Sequence, residues 1–226
     1  MSLREYKKKR DFKVTPEPEG GDAAGRGNLS YVVQKHQASH LHYDFRLEWN
    51  GVLLSWAVPK GPSLDPSVKR LAMQVEDHPV EYGAFEGIIP AAEYGGGTVM
   101  VWDRGTWTPE VADVDAALRK GDLKFTLHGA KLKGSWVLVR TRGSFGGGKR
   151  ASWLLIKHRD RFASAEDITV EKPRSAMTRR LLADIAKVAG GNIEKAAAGD
   201  PPLVQPASKP RKASAAVPAR KRIRAK

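Results

Sequence analysis

QKHQASHLHYDFRLE, residues 34–48, decides how the chain is read. From Leu41 onward, Leu41, Tyr43, Phe45 and Leu47 alternate strictly with His42, Asp44, Arg46 and Glu48, the period of a half-buried β-strand. One face is core, and the other presents imidazole, carboxylate and guanidinium in a row. Alternate residues on a strand lie roughly 6.5–7 Å apart. His42 and Asp44 can therefore lean onto one divalent cation, with His36 supplied from the loop or strand just before. Arg46, one step further along, is placed to hold an anion beside that cation. A solvated polar face is the commoner origin of such alternation, but it is usually built from Lys, Glu, Thr and Ser. Here His36, His40 and His42, half of the chain's six histidines, fall within seven residues, and imidazole is a good ligand for a divalent cation.

Working outward, the pattern is mostly β. Strands are expected over residues 30–34, 41–48, 52–58, 71–76, 98–102, 123–127, 135–140 and 152–157, with Trp49-Asn50-Gly51 turning the second into the third. A short helix fits 113–120. A longer one fits 176–189, with Ser175 as cap, an apolar stripe of Met177, Leu181, Leu182, Ile185 and Val188, and Gly190 as stop. The fold expected is mainly β, roughly eight strands in a compact β-barrel or a closely packed sandwich, with a few short flanking helices and a disordered basic C-terminal tail. The chain divides into an N-terminal arm (1–29), a barrel core (30–170), a C-terminal helix (171–190) and a Lys/Arg/Ala/Pro tail (191–226).

The 226 residues, 41% hydrophobic, can bury one substantial core. The absence of cysteine excludes disulfide frameworks, thiolate zinc sites and thiol nucleophiles. No apolar run has the length of a membrane span, and MSLREYKKKRDF lacks the apolar stretch of a secretory signal. A cytoplasmic protein with no membrane partner is expected. The net charge of +14 points to a polyanionic partner, and its distribution is uneven. Residues 1–169 hold 25 Lys and Arg against 21 Asp and Glu, whereas 170–226 hold 14 against 4. The tail, ending KPRKASAAVPARKRIRAK, has too little apolar surface to offset the entropy of ordering it. It reads as a basic arm for nucleic acid or as a solubilising linker.

GSFGGGK (143–149) mimics the spacing of a phosphate-binding loop, but Arg150 stands where Ser or Thr should bind magnesium, and ASWLLIK after it is strand-like. A hairpin loop is expected there. The other glycine run, 94–97, reads as a turn or bulge. Two further stretches add to the central constellation. VPKGP (58–62) places Lys60 in a stiff turn, and RLAMQVEDHPVEY (70–82) brings Arg70, Glu76, His78 and Tyr82 within thirteen residues. Each alone has an ordinary structural reading. Together, two histidines and a carboxylate on a metal, Arg and Lys for a tetrahedral anion, and His and Tyr for proton transfer are what a metal-assisted phosphoesterase needs.

QKHQASHLHYDFRLEWNGVLLSWAVPKGPSLDP, KRLAMQVEDHPVEYGAFEGIIP and YGGGTVMVWDRGTW resemble the 3′-phosphoesterase domain of bacterial DNA ligase D, the end-joining ligase. The likeness runs from RDFKVTPEP to PRSAMTRRLLADIA, roughly residues 8–187. It implies a manganese-dependent β-barrel enzyme that removes 3′-terminal ribonucleosides and 3′-phosphates from DNA ends, leaving a 3′-hydroxyl for repair. It implies that His36, His42 and Asp44 are metal ligands, that Arg46 and His78 contact the scissile phosphate and that Tyr82 assists. Gln34, Lys60, Arg70 and Glu76 fall on a supporting shell, and Asp11 and Glu17 on an arm that folds back near the site. Cobalt or zinc suits the same donors. Either metal-activated water or the substrate's own 2′-hydroxyl serves as nucleophile, and a ligase and Ku are the partners implied. His40 is expected to point away from the metal. A two-histidine, one-carboxylate iron oxygenase shares the His42-x-Asp44 outline, although Arg46, Lys60 and Arg70 suit phosphate better. A DNA-end-binding module without turnover is the other alternative.

Overall fold

A computed structural model describes residues 2–21, 27–142 and 151–202. Ten strands form one antiparallel sheet: β1 (Ser30–Gln37), β2 (Leu41–Trp49), β3 (Val52–Val58), β4 (Lys69–Gln74), β5 (His78–Pro79), β6 (Gly87–Ile89), β7 (Gly97–Pro109), β8 (Asp122–Gly129), β9 (Lys133–Arg140) and β10 (Ser152–Lys157). Eight of them follow one another as β1-β2-β3-β4-β10-β9-β8-β7, and β7 pairs back onto β1. The barrel is thereby closed, with β6 added to β7 and β5 to β3. Closure removes the unpaired edges that an open sheet would present.

The interior is aromatic. Trp56, Trp102, Trp136 and Trp153 are completely buried, and Phe45, Phe125, Tyr31 and Tyr43 fill the space between them. Burying such side chains is the main favourable term in a fold of this size, roughly 1.5–3 kcal/mol each. Strand parity sorts the rest. Tyr31 and Val33 of β1, Tyr43, Phe45 and Leu47 of β2, and Leu54 and Trp56 of β3 face in, leaving Gln34, His36, His42, Asp44, Arg46 and Ser55 on the outer face. The β2–β3 hairpin turns through Asn50 (φ 50°) and Gly51 (φ 76°), the two left-handed residues that match the twist of the flanking strands.

That outer face is covered. A short helix, α1 (Arg4–Lys8), lies in the N-terminal arm, and a 3₁₀ turn occupies Val80–Ala84. Tyr6 and Tyr82 meet Val32, Leu53 and Val101 in a second apolar cluster, joined by Phe12, Phe85 and Met177. Asp44, Arg46 and Glu48 are consequently buried. The period of β2 identified the two faces, but the second apolar layer comes from segments distant in sequence.

Helix α2 (Val114–Lys120) matches expectation, with Asp113 accepting from Ala116 N at 2.8 Å and Gly121 as the left-handed stop. The helix expected over 176–189 is shorter: α4 spans Leu182–Ala189. Ser175 does cap, its Oγ accepting from Met177 N and Thr178 N at 3.0 Å, but the turn it starts ends at Arg179, whose φ is +65°. Of the expected stripe, Leu182 and Ile185 are buried and Val188 is exposed. A four-residue helix, α3 (Ile168–Glu171), precedes this turn. Ordered chain also passes the boundary expected at residue 190. Helix α5 (Ile193–Ala197) buries Ala196, and the Asp200 carboxylate accepts from Leu182 N and Ala183 N at 3.0 Å, capping α4 from the far side. A cap and a small buried alanine leave no hydrophobic periodicity, so composition alone hid this element. The glycine-rich stretch 143–149 and the tail from residue 203 lie outside the described residues; β9 and β10, which flank the former, pair antiparallel.

Candidate active site

Register builds the site before any side chain is considered. His36 of β1 stands opposite His42 of β2, Gln34 opposite Asp44, and Arg46 opposite Ser55 of β3. Asp44 Oδ2 lies 3.7 Å from His36 Nδ1 and 3.6 Å from His42 Nε2, and one ligand atom from each of the three falls within 4.8 Å of the others. Donors sharing one ion with bonds of about 2.1 Å sit roughly 3.0–3.5 Å apart, so the Asp44 contacts are already near that spacing and the wider separation within the triad would have to contract to close on a cation. Two further observations fit a metal. His36 Nε2 is buried without a hydrogen-bond partner. His42 Nδ1 donates to the carbonyl of His40 at 3.0 Å, which fixes the ring with Nε2 turned to Asp44. His40 therefore contributes through its main chain, its imidazole being exposed.

The electrostatics agree. Burial alone would raise Asp44, but the Arg46 guanidinium and the two imidazoles hold its carboxyl well below the usual range. Burial would lower His42, yet its hydrogen bond to Asp44 and the carboxylate charge leave it raised. A cation held by these donors would compete with that proton.

Arg46 fans out beside the triad. Its Nε donates to Gln34 Oε1 (2.9 Å), one terminal nitrogen donates to Ser55 Oγ (2.7 Å), and the other lies 3.3 Å from Asp44 Oδ2. Gln34, completely buried, donates in turn to the carbonyls of Tyr82 and Phe85 at 3.0 Å. The same amide thus aims the guanidinium and holds the 3₁₀ turn. His78 Nδ1 donates to the Glu76 carbonyl (2.9 Å), and Nε2 accepts from Arg10 (3.3 Å). Burial, with the Arg46 and Arg10 charges, drives His78 well below its ordinary value, so it is a neutral imidazole. Burial raises the Tyr82 hydroxyl well above its ordinary value, and it keeps its proton.

These groups line one cleft of about 390 Å³, with Arg10, His36, His42, Asp44, Arg46, Glu76, His78 and Tyr82 on its polar walls and Tyr94 and Gly95 on its rim. Glu17 supports it from behind, accepting from Arg10 Nε at 2.9 Å, while Glu76 pairs with Lys9 (3.0 Å) and lies 3.6 Å from Arg10. Three expected residues are not brought in. Asp11 is exposed and accepts from Lys13 N in its own turn. Lys60 is exposed in the turn after β3. Arg70 shares the parity of buried Ala72, so it faces the barrel side of β4, away from the outer face that bears the cleft. Arg10 and Ser55, conversely, had not been singled out. Ser55 had a signal, a lone hydroxyl in the apolar run VLLSWAV. Arg10 had only the resemblance as a signal, which placed the neighbouring Asp11 on an arm folding back near the site; no local pattern marks it, because its place depends on the arm reaching back 68 residues to His78.

Residues 34–140 match the family of DNA ligase D 3′-phosphoesterase domains. The chain is 54% identical over 185 residues to the multifunctional non-homologous end joining protein LigD of Pseudomonas aeruginosa, covering 80% of this chain and 22% of that protein. It is 46% identical over 143 residues to the corresponding LigD of Mycobacterium tuberculosis, covering 62% of this chain and 18% of that protein. The chain thus spans about a fifth of the length of the curated relatives it matches.

Proposed function

The chain belongs, through residues 34–140, to the DNA ligase D 3′-phosphoesterase domain family, and from that premise we propose that it is a manganese-dependent DNA 3′-end-processing enzyme. It removes 3′-terminal ribonucleosides and 3′-phosphates and leaves a 3′-hydroxyl for end joining in the cytoplasm, alongside a ligase and Ku. The observation that carries the reading is the His36–His42–Asp44 triad sharing one cleft with two buried guanidiniums, Arg46 and Arg10.

His36, His42 and Asp44 hold the cation, manganese or, on the same donors, cobalt or zinc. When bound, it supplies positive charge to the phosphate oxygens and a nucleophile at neutral pH. The remaining steps belong to the chain's own residues. Arg46, braced by Gln34 and Ser55, presents a fixed positive charge to the phosphate, where charge grows as the fifth oxygen approaches phosphorus. Arg10, braced by Glu17, adds a second charge from the arm. Neutral His78 has its Nδ1 proton committed to a carbonyl and offers only the Nε2 lone pair, so it accepts hydrogen bonds and is not the group that protonates the departing oxygen. The Tyr82 hydroxyl, proton retained, is the donor at the cleft wall. An oxygenase is disfavoured by the same inventory, since two buried guanidiniums suit a phosphate and not an oxygen-activating pocket.

The test is conversion of a labelled primer-template ending in a 3′-phosphate or a single ribonucleotide. Manganese should yield a 3′-hydroxyl with the natural chain and none with His42→Ala. A chain that binds the DNA yet leaves its end intact under every divalent metal would be an end-binding module instead.

A further inference from the structure

Lys131, Lys172, Arg174, Arg179 and Arg180 gather on one rim of the barrel. Lys131, in the β8–β9 turn, places its ammonium 4.2 Å from the centre of the Trp102 ring and donates to the Arg174 carbonyl at 2.6 Å. The segment that carries the other four is pinned along its backbone. The Lys172 carbonyl accepts from Trp102 Nε1 (2.8 Å), Ala176 N donates to Val101 O (2.9 Å), Ser175 N donates to Arg180 O (2.8 Å), and Ser175 Oγ donates to Glu86 (2.6 Å). Arg179 is held in the left-handed region, uncommon for a side chain of its size.

Of the side chains on this rigid turn, Arg174 donates to the Arg179 carbonyl at 3.3 Å, a neutral partner that leaves its charge uncompensated. Lys172, Arg174, Arg179 and Arg180 are exposed, and among the described residues none of the five forms an ion pair. The carboxylates bonded at this turn and at Lys131 are spent elsewhere: Asp103 accepts from Tyr31 and from the main-chain N–H groups of Lys131 and Leu132, and Glu86 from Ser175 Oγ, Thr178 Oγ1 and Val101 N. Burial, together with the charges of Lys35, Arg179 and Lys172, pushes Lys131 down to about 7. Cations that repel one another on a fixed frame make a surface that an anion relieves.

We propose that this rim is a second DNA-binding site, a seat for the phosphate backbone of the duplex behind the end being processed. The inference rests on the DNA-end reading above. Val101, to which the turn is bonded, pairs with Gln34 of the active-site face. Two strand spacings, roughly 10 Å, therefore separate the turn from β1. One strand of duplex DNA carries a phosphate about every 3.4 Å of axis, so a strand whose 3′ end lies in the cleft meets the rim about three nucleotides back. Binding there is independent of sequence, since only phosphates are touched.

The experiment uses the full chain carrying Arg174→Gln, Arg179→Asn and Arg180→Gln together, Asn being tolerant of the left-handed position. Affinity for a 3′-phosphate primer-template is measured against salt. The expected result is about tenfold weaker binding at moderate salt, with the slope of log K against log salt flattened by about 0.9 per contact removed. A control with Arg119→Gln, Lys120→Gln and Lys124→Gln removes the same charge from a region where Glu110, Asp115 and Asp122 are interspersed, and should leave the slope near the natural value. Turnover of a dinucleotide 3′-phosphate, too short to reach the rim, should be unchanged in the rim variant. An unaltered slope, an equal loss in the control, or loss of dinucleotide turnover each overturns the assignment. A natural chain that processes no end but whose duplex binding still weakens in the rim variant would remove the enzyme reading and leave this one standing.

Discussion

Arg46 is where chemistry and support meet. Each of its nitrogens has a partner of a different kind, an amide, a hydroxyl and a carboxylate, and only a planar fork satisfies all three. Arg46→Lys should therefore lower kcat by about 10²–10³, as for loss of a preorganised charged donor, with little change in metal affinity measured by calorimetry. His78 gives a pH dependence. Its folded-state value lies below the unfolded one near 6.5, so the unfolded chain binds the extra proton, and the stability present above pH 6.5 is lost on acidification through that window. Raised His42 works in the opposite sense, so the comparison is between variants: His78→Asn should show a shallower loss of denaturant stability from pH 6.5 downward than the natural chain. At this scale the triad was legible, because nine residues of local sequence contain it. The cleft's second guanidinium was not singled out: the resemblance implied that the arm folds back, but no local pattern says that Arg10, and not Asp11 beside it, meets a partner 68 residues away. Arg70 shows a related limit: proximity in sequence to His78 says nothing about which face of a strand a side chain takes.

Elements were most readable where backbone chemistry speaks directly. The Asn50-Gly51 turn closes β2 on β3 with both residues left-handed, and its register fixes Arg46 opposite Ser55. Gly51→Ala should cost about 1–2 kcal/mol, read as a lower denaturation midpoint at unchanged slope. The 176–189 helix was half right. Ser175 and the apolar stripe signal a start, but Arg179 breaks the helix for tertiary reasons, with the turn bonded to Val101, Glu86 and Lys131. The arm is a separate case, short and nearly without regular structure, yet it carries Tyr6 into the outer cluster and Arg10 into the cleft. Arg10→Ala should leave the barrel folded by circular dichroism while lowering kcat/KM about 10²-fold, the scale of one lost charged donor.

For the whole molecule, an eight-stranded mainly β fold was legible from strand count, because alternation and turns recur at short spacing. Closure was legible only through the family resemblance, which implied a barrel, since the β1–β7 pairing joins strands nearly seventy residues apart and no local pattern encodes it. Metal binding should be visible at this scale too. An ion that binds only the folded chain adds about 2.7 kcal/mol at one hundred times its Kd, which for a domain of this size is roughly 5–10 °C. Manganese should raise the melting temperature of the natural chain by that amount and leave His36→Ala unmoved.

The β1–β7 seam also sets a timetable. During synthesis at about 5–20 residues per second, β1 waits roughly 3–15 s for its partner to leave the ribosome, whereas His36, His42 and Asp44 emerge almost together on one hairpin. Ligands this local can meet an ion while the rest of the barrel is unmade. In refolding experiments, manganese should be captured before the tryptophan fluorescence reports a closed core, and a nascent chain stalled shortly after β3 should already favour metal over a chain stalled before β2.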